Sequence, residues 1–228
     1  MTEVGKRSYT SALRAEQARR TRWQVVNAAG ELFAADGFAA TTVDAIAAKA
    51  GVSRKTVFTA VPGGKVELLK LAYDFAMATD DEPVPMVARE GIQSLIREPD
   101  PYRRITAFAR FATDANSRVA ALYRALQGAA EVDTEARALY EKWEHERRES
   151  MLNGPVPIFL TEGVLRPDRS PDEIADLWAM LVGPPLYYQL VVVAGWPPDR
   201  FAEWLADTME RLLLVPRPSE GSSAITER

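Results

Sequence analysis

A short cluster of basic and hydroxyl side chains could bind nucleic acid. Ser53, Arg54, Lys55, Thr56 and Thr59 occur within seven consecutive positions. An Arg guanidinium can donate two hydrogen bonds to O6 and N7 of a guanine, which is the commonest base-specific contact in the major groove. We therefore expect Arg54 and Lys55 to reach base edges. Thr56 and Thr59 are expected to touch bases, phosphates or thymine methyl groups.

These side chains need a helix to present them, and the sequence predicts two short helices joined by a tight turn. The first helix has an apolar repeat at i, i+3, i+4 and i+7, formed by Val43, Ile46, Ala47 and Ala50. Gly51 can take the left-handed conformation that ends a helix, and Ser53 is a favourable N-cap for the second helix. This is the pattern of a helix-turn-helix, whose second helix enters the DNA major groove. A helical hairpin without a DNA role is the alternative.

The flanking residues predict a longer helix on each side of this pair. A helix is expected from about Leu13 to Asp36, where Gly37 closes it and Phe38 folds back onto the core. Another amphipathic helix is expected to begin at Lys65. Thr42 and Lys65 would then stand at helix N-termini, where free amide groups favour an anion such as a phosphate.

Trp23 to about Lys70 resembles the N-terminal DNA-binding domain of the TetR family of bacterial regulators. The resemblance lies in a helix ending AADGF, then TTVDAIAAKAGVSRKTVF, then a Lys that starts the next helix. It implies that Thr42 and Lys65 grip flanking phosphates and that Ser53 and Phe58 also lie at the DNA. The sequence departs from the family where Phe58 replaces a Tyr whose hydroxyl touches a phosphate. It departs again at Val61, where the family has an aromatic residue, and at the turn 62–64, which is one residue longer than the spacing common in the family.

The charge distribution agrees with a DNA-binding N-terminal part. Residues 1–65 carry a formal charge of +5 and residues 66–228 carry −9, which gives −4 overall. The basic part can attract phosphates while the acidic remainder is repelled by them. Lys6 and Arg7, in an N-terminal arm over 1–11, could reach along the DNA backbone, although an arm without any function is an equally good interpretation.

Other function classes find little support in the composition. The chain has no cysteine, which excludes disulfides and thiol catalysis. Its start lacks the apolar run of a signal peptide, and the longest apolar run, 190–196, is too short to span a bilayer. We expect a cytoplasmic protein with no membrane partner.

Catalytic and metal-binding groups are also scarce. His145 is the single histidine, and Glu141, His145 and Glu149 share one helix face, where a solvated surface is a better interpretation than a weak metal site. No nucleophile, base and acid occur in a recognisable set. The sequence therefore predicts no enzyme, no cofactor and no metal.

Beyond residue 65 the pattern stays helical, which predicts an all-α fold with no strands. We expect a helix-turn-helix domain with its arm over 1–64, a helical effector-binding and dimerisation domain over 65–215, and a disordered tail over 216–228. Helices are predicted at 102–115, 117–130 and 134–152. In the TetR family this part senses small molecules, and apolar side chains that would suit a flat, apolar effector are Phe108, Phe111, Tyr123, Tyr140, Trp143, Met151 and Trp178. Ordinary core packing is the alternative for each of them.

The last helices carry wide apolar faces that point to a homodimer. Ser170 caps a helix that Gly183 and the two prolines after it should interrupt. TetR-like proteins pair their last two helices with those of a second copy. The corresponding residues here are Leu181, Tyr187, Tyr188, Val191, Trp204, Leu205, Met209 and Leu212. An intramolecular core is the alternative.

Taken with the resemblance, these patterns predict a homodimeric, sequence-specific regulator of transcription, released from a palindromic operator in double-stranded DNA by a small-molecule effector. An α-helical small-molecule-binding protein with weakened or lost DNA binding is the alternative.

Overall fold

Four helices follow one another in the N-terminal part of the chain. In the computed structural model, which describes residues 4–80, 82, 84 and 86–217, they are α1 (Val4–Ala40), α2 (Val43–Ala50), α3 (Arg54–Ala60) and α4 (Gly64–Ala78). Gly37 interrupts α1 with φ 77° and ψ 174°, a backbone conformation that glycine adopts readily. The predicted end of the first long helix is thus a sharp change of direction at Gly37.

The first helix is longer than the sequence predicted. Helix α1 begins at Val4, earlier than the predicted start near Leu13, so most of the expected N-terminal arm is helical backbone. Helix α4 ends at Ala78, where Thr79 takes a left-handed φ of 66°. The side chains of Lys6 and Arg7, and the tail from residue 218, lie outside the described residues.

The first compact unit consists of Met1–Pro83 together with Arg118–Lys142. Its core includes Val25, Ala29 and Phe33 of α1, which are all buried. Ile46 of α2 and Val57 of α3 are buried as well, which holds the two short helices against α1. Phe38 stacks on Phe33 with ring centroids 5.8 Å apart, as its predicted return to the core requires.

The remaining helices are α5 (Glu90–Arg97), α6 (Pro101–Ala130), α7 (Thr134–Asn153), α8 (Pro155–Thr161), α9 (Pro171–Val182), α10 (Pro184–Tyr187) and α11 (Pro198–Leu213). A 3₁₀ turn at Met86–Ala88 precedes α5, and a π-helical segment at Tyr188–Val193 follows α10. The only strand-like feature in the described part of the chain is one isolated bridge between Leu165 and Leu214. The all-α prediction is confirmed.

Helix α6 is continuous where the sequence predicted two helices. Asn116, near the expected break, is 3% exposed, and its side-chain amide donates to the Val182 carbonyl oxygen at 2.9 Å. That carbonyl ends α9, where the following Pro184 and Pro185 have no N–H to offer. Asn116, at the predicted break, is therefore a buried partner for the end of another helix.

The second compact unit consists of Val84–Ser117 and Trp143–Arg228. The largest fully buried side chains described in it include Trp178, Phe159, Phe201, Ile105, Ile174 and Leu205. Ser170 caps α9 and exchanges hydrogen bonds with Glu173 in a capping box, which fixes where this core helix starts. Among the described helices no single one is long and apolar enough to cross a membrane, and only α9 taken with the segment to Val193, bent by 41°, has that length and composition.

Candidate nucleic-acid interface and ligand cavity

The turn between α2 and α3 is built by local hydrogen bonds. The Thr42 hydroxyl accepts from the Ala45 amide at 3.1 Å and caps α2. Gly51 ends α2 with φ 69° and ψ 31°, in the left-handed region. The Ser53 hydroxyl then accepts from the Thr56 amide at 3.1 Å and caps α3. Each cap satisfies an amide at a helix start, so these residues set the length of both helices and the position of the turn.

The outward face of α3 presents a basic and aromatic surface. Arg54 and Lys55, in its first turn, are exposed, and Phe58 is 45% exposed one turn later. The Arg54 guanidinium lies 2.9 Å from the Asp44 carboxylate and 5.8 Å from the centre of the Phe58 ring. Both partners of this ion pair are mostly exposed, so water screens it. Arg54 is therefore oriented by its neighbours and still accessible to a partner.

The threonine hydroxyl groups of α3 are already engaged within the helix. Thr56 shares a hydrogen bond with the Ser53 hydroxyl at 2.8 Å. The Thr59 hydroxyl donates to the Lys55 carbonyl oxygen at 3.0 Å. Their predicted contacts with bases or phosphates stay predictions, and either hydroxyl oxygen retains a lone pair that can accept a further bond.

Lys65, near the start of α4, packs against an aromatic ring. Its ammonium nitrogen lies 4.1 Å from the centre of the Phe38 ring, a cation–π geometry. Partial burial lowers the pKa of Lys65 from its ordinary value of 10.5, and the Asp133 carboxylate opposes that effect. The predicted phosphate contact stays a prediction.

A cavity of about 600 Å³ lies within the second unit. Four of the predicted ligand-binding side chains line it: Phe108, Phe111, Met151 and Trp178. The rest of the wall is mostly apolar and comes from α5, from the α7–α8 junction and from α8, with Ile92, Leu95, Ile158 and Phe159 among its residues. Cavities of this size and composition hold small organic molecules in other proteins.

Arg104 is the one charged side chain among the described residues that line the cavity. It is buried, with 7% of its side chain exposed, and it forms two hydrogen bonds of 2.9 Å with the Glu162 carboxylate. Two further hydrogen bonds reach the Glu98 carbonyl oxygen, at 2.9 and 2.6 Å. The positive charge is thus neutralised by a carboxylate, as a buried charge requires.

Trp178 contributes a polar group that has no partner. The residue is fully buried, and its Nε1 has no hydrogen-bond acceptor in the structure. Its ring contacts Phe159 and Phe108 edge to face, with centroids 5.3 and 5.5 Å apart. A buried donor without an acceptor is uncommon in folded proteins, and neighbouring side chains enclose this one.

Residues 25–70 match the model of a known family, described as bacterial regulatory proteins of the tetR family. The chain carries a TetR-family N-terminal domain. The match contains α2, α3 and their capping residues, so the predicted helix-turn-helix is confirmed. This family is one of transcriptional regulators. No curated protein sequence matches the chain.

Solved structures of TetR-family regulators share the fold of this chain. One is NalD, the secondary repressor of the MexAB-OprM multidrug efflux pump in Pseudomonas aeruginosa, with a TM-score of 0.65, 20% identity, and coverage of 89% of this chain and 100% of NalD. A TetR-family regulator from Pseudomonas syringae pv. tomato has a TM-score of 0.55 and 20% identity, covering 86% and 97%. A Saccharomonospora viridis protein crystallised with choline has a TM-score of 0.65 and 18% identity, covering 87% and 100%.

Three of the side chains predicted to bind a ligand lie elsewhere in the chain. Tyr123 and Tyr140 contact each other in the first unit, with ring centroids 5.8 Å apart. Trp143 is half-buried in the second unit and is not part of the cavity wall. Apolar character alone did not separate these residues from the wall. A better signal was available for α5, because Ile92, Leu95 and Ile96 repeat at i, i+3 and i+4.

The residues predicted for a dimer interface divide into two groups. Leu181, Tyr187, Leu205 and Met209 are buried within the chain itself, because α9 and α11 pack their apolar faces against each other. The half-buried residues are Tyr188, Val191, Trp204 and Leu212. The exposed large apolar side chains of this region are Met180, Val192 and Val193, and none of them is among the predicted interface residues.

The acidic and histidine side chains on α7 do not form a metal site with their neighbours. Among the residues that the structure describes, no group of three or more His, Asp or Glu side chains is placed to hold a metal ion. His145 and Glu141 are both exposed.

Proposed function

We propose that this chain is a homodimeric, DNA-binding regulator of transcription that represses from a palindromic operator and is released by a small-molecule effector. The observation that carries the proposal is the capped helix α3, which presents Arg54 and Lys55 at its exposed N-terminal turn. A recognition helix reads bases with residues at this end. A double-stranded DNA partner also suits the positive charge of residues 1–65.

A homodimer is supported by apolar surface near the end of the chain. Met180, Val192 and Val193 are 58%, 55% and 63% exposed and come from α9 and the π-helical segment after α10. Exposed apolar surface of this kind commonly marks a protein–protein interface. A two-fold dimer would place two copies of α3 on two half-sites, which is the arrangement that a palindromic operator matches.

Release by an effector is supported by the cavity of about 600 Å³ in the second unit. The structures with a similar fold include a repressor of an efflux pump and a protein bound to choline. Repression by this chain, with a small molecule as the releasing signal, is the function that these similarities favour. Such a regulator acts where bacterial DNA is, in the cytoplasm.

A helical ligand-binding protein that no longer reads DNA is the second candidate. Phe58 has no hydroxyl group to offer a phosphate, and the Lys65 ammonium lies on the Phe38 ring. Exposed Arg54 and Lys55, with intact caps at Thr42 and Ser53, weigh against this candidate. The two functions differ in whether DNA binding is selective for sequence.

The deciding experiment measures binding of the purified full chain to duplex DNA from the region upstream of its own gene, against a scrambled duplex, over a range of salt concentrations. Selective binding that weakens steeply with salt supports the regulator. Equal, weak binding to both duplexes supports the ligand-binding alternative. Arg54→Ala should cost about 1–3 kcal/mol of discrimination between the two duplexes.

Arg103→Ala is the matched control, because it removes one exposed positive charge outside the helix-turn-helix. It should retain the discrimination of the native chain. If Arg54→Ala discriminates as well as Arg103→Ala does, the assignment of α3 as the recognition helix is wrong. Circular dichroism of both variants checks that the helices are intact, which we expect because the ion pair of each Arg is solvent-exposed.

A further inference from the structure

The cavity of the second unit has one charged side chain in its described wall, and the charge of that side chain is already balanced. Arg104 lines the cavity, and only 7% of its side chain is exposed. Its guanidinium group donates four hydrogen bonds, two to the Glu162 carboxylate and two to the Glu98 carbonyl oxygen. A guanidinium has five N–H groups, so these bonds use most of its capacity to bind an anion.

The neutral polar side chains of the wall provide no counter-charge. Ser150 and Asn153 are exposed residues near the end of α7. The Ser150 hydroxyl donates to the Glu146 carbonyl oxygen at 2.7 Å, and the Asn153 amide donates to the Glu149 carboxylate at 3.0 Å. The rest of the described wall is mostly aliphatic and aromatic, so the burial of apolar ligand surface is its main source of affinity.

A ligand with a net charge would lose its hydration in this cavity without gaining an ionic partner, which is strongly unfavourable. An anion would have to compete with Glu162 for Arg104. A cation would meet the Arg104 guanidinium itself, which lies 5.0 Å from the centre of the Phe159 ring and occupies an aromatic face where a cation could bind. The same ion pair therefore disfavours ligands of either sign.

We propose that the cavity binds an uncharged, apolar molecule, and that Glu162 sets this selectivity by neutralising Arg104. The proposal rests on the effector role assigned to the second unit, and it specifies the class of effector. A cavity of about 600 Å³ has room for two or three aromatic rings. Glu162, at the end of α8, acts through Arg104 on the electrostatic potential inside the cavity and need not touch the ligand.

Two pairs of probes with similar shapes measure the charge selectivity of the native full chain in the absence of DNA. N-phenyl-1-naphthylamine is uncharged, and 8-anilino-1-naphthalenesulfonate has the same rings and one sulfonate. Neopentylbenzene and benzyltrimethylammonium differ by a central carbon or a charged nitrogen. Equilibrium dialysis gives the dissociation constant of N-phenyl-1-naphthylamine, and competition with it gives those of the other three probes. We expect the sulfonate to bind about a hundredfold more weakly than the uncharged amine, and the ammonium about tenfold more weakly than neopentylbenzene.

A pair of leucine substitutions tests whether the cavity is the binding site. Leu95→Trp adds volume to the cavity wall and should weaken the binding of N-phenyl-1-naphthylamine about tenfold. Leu160→Trp is the matched control, because Leu160 is 53% exposed and is not part of the described wall. This second variant should bind the probe as the native chain does.

Substitutions in the ion pair test the role of Glu162. Glu162→Gln leaves the charge of Arg104 without a carboxylate, so the hundredfold disadvantage of the sulfonate should fall about tenfold, because opposite charges attract strongly at low dielectric. Glu210→Gln should keep the native selectivity, since it breaks a similar pair outside the cavity wall, with two hydrogen bonds of 2.9 Å from Arg217. Combining Glu162→Gln with Arg104→Met removes both charges and should restore the rejection of the sulfonate.

Each of four results would overturn the proposal. They are equal affinity for the two naphthalene probes, tighter binding of benzyltrimethylammonium than of neopentylbenzene, unchanged probe binding by Leu95→Trp, and native selectivity in a folded Glu162→Gln variant. The probe pairs on the native chain decide the matter if Glu162→Gln fails to fold. Because these measurements contain no DNA, their failure is separate from failure of the proposed function, which the operator measurement tests.

Discussion

Replacing Gly51 by Ala should destabilise the first unit through backbone strain alone. Gly51 has φ 69° and ψ 31°, and a Cβ placed on it would meet no atom within 4 Å. The substitution therefore adds no clash, and its cost is that of a side chain in the left-handed region, roughly 1–2 kcal/mol. For a domain of about 100 residues, each kcal/mol lowers Tm by about 4–8 °C.

The assay is thermal unfolding followed by circular dichroism, with Gly51→Asn as the matched control. Asn tolerates the left-handed conformation better than other residues with a Cβ, so Gly51→Asn should lose less than half as much stability as Gly51→Ala. The reasoning is refuted if Gly51→Ala melts at the native temperature. It is also refuted if both variants lose the same stability, since that would implicate the space around the residue instead of its φ angle.

Three further changes test other parts of the chain. Gly154→Ala should lower the free energy of unfolding by about 1–3 kcal/mol, because the added Cβ would lie 2.5 Å from the backbone oxygen of Ser150. A variant that unfolds at the same urea concentration as the native chain would contradict this. The backbone N–H of Arg103 is the main cause that lowers the pKa of the Asp100 carboxyl group from its ordinary 3.8. The ionised carboxylate therefore stabilises the fold above pH 3.8, and this contribution is lost as the pH falls through the lower pKa of the folded state. An NMR titration midpoint at or above 3.8 would show the reverse. Val193→Asp should shift sedimentation equilibrium towards monomer, whereas Val132→Asp, a substitution at another exposed valine, should not; a native-like dimer in the first variant would place the interface elsewhere.

The helix-turn-helix could be predicted from sequence because its signals are local. Thr42, Gly51 and Ser53 each act on residues within a few positions, so their types define the helix ends without knowledge of the rest of the chain. The burial of Val57 and the exposure of Arg54 follow from the helical period. Even here the pairing of Asp44 with Arg54, ten positions apart, was not visible in the sequence.

The cavity could be predicted only in part, because its wall is set by contacts between distant residues. The helix α8 was not predicted because it is short and begins with a proline, although Pro155 occupies its first turn, where the missing N–H costs nothing. The helix α5 was missed because it is only eight residues long. A similar limit applies to the proposed dimer surface, because an apolar stripe on α9 or α11 does not show whether the same chain or a second copy covers it.

The hydrogen bond from Asn116 to the Val182 carbonyl determines the register between α6 and α9. Apolar side chains along a long helix could pack almost as well after a shift of one turn, about 5.4 Å. That shift would leave a buried amide and a buried carbonyl oxygen unpaired at once, which the unshifted packing avoids. One polar residue in the middle of α6 thus favours the alignment in which both buried groups are paired.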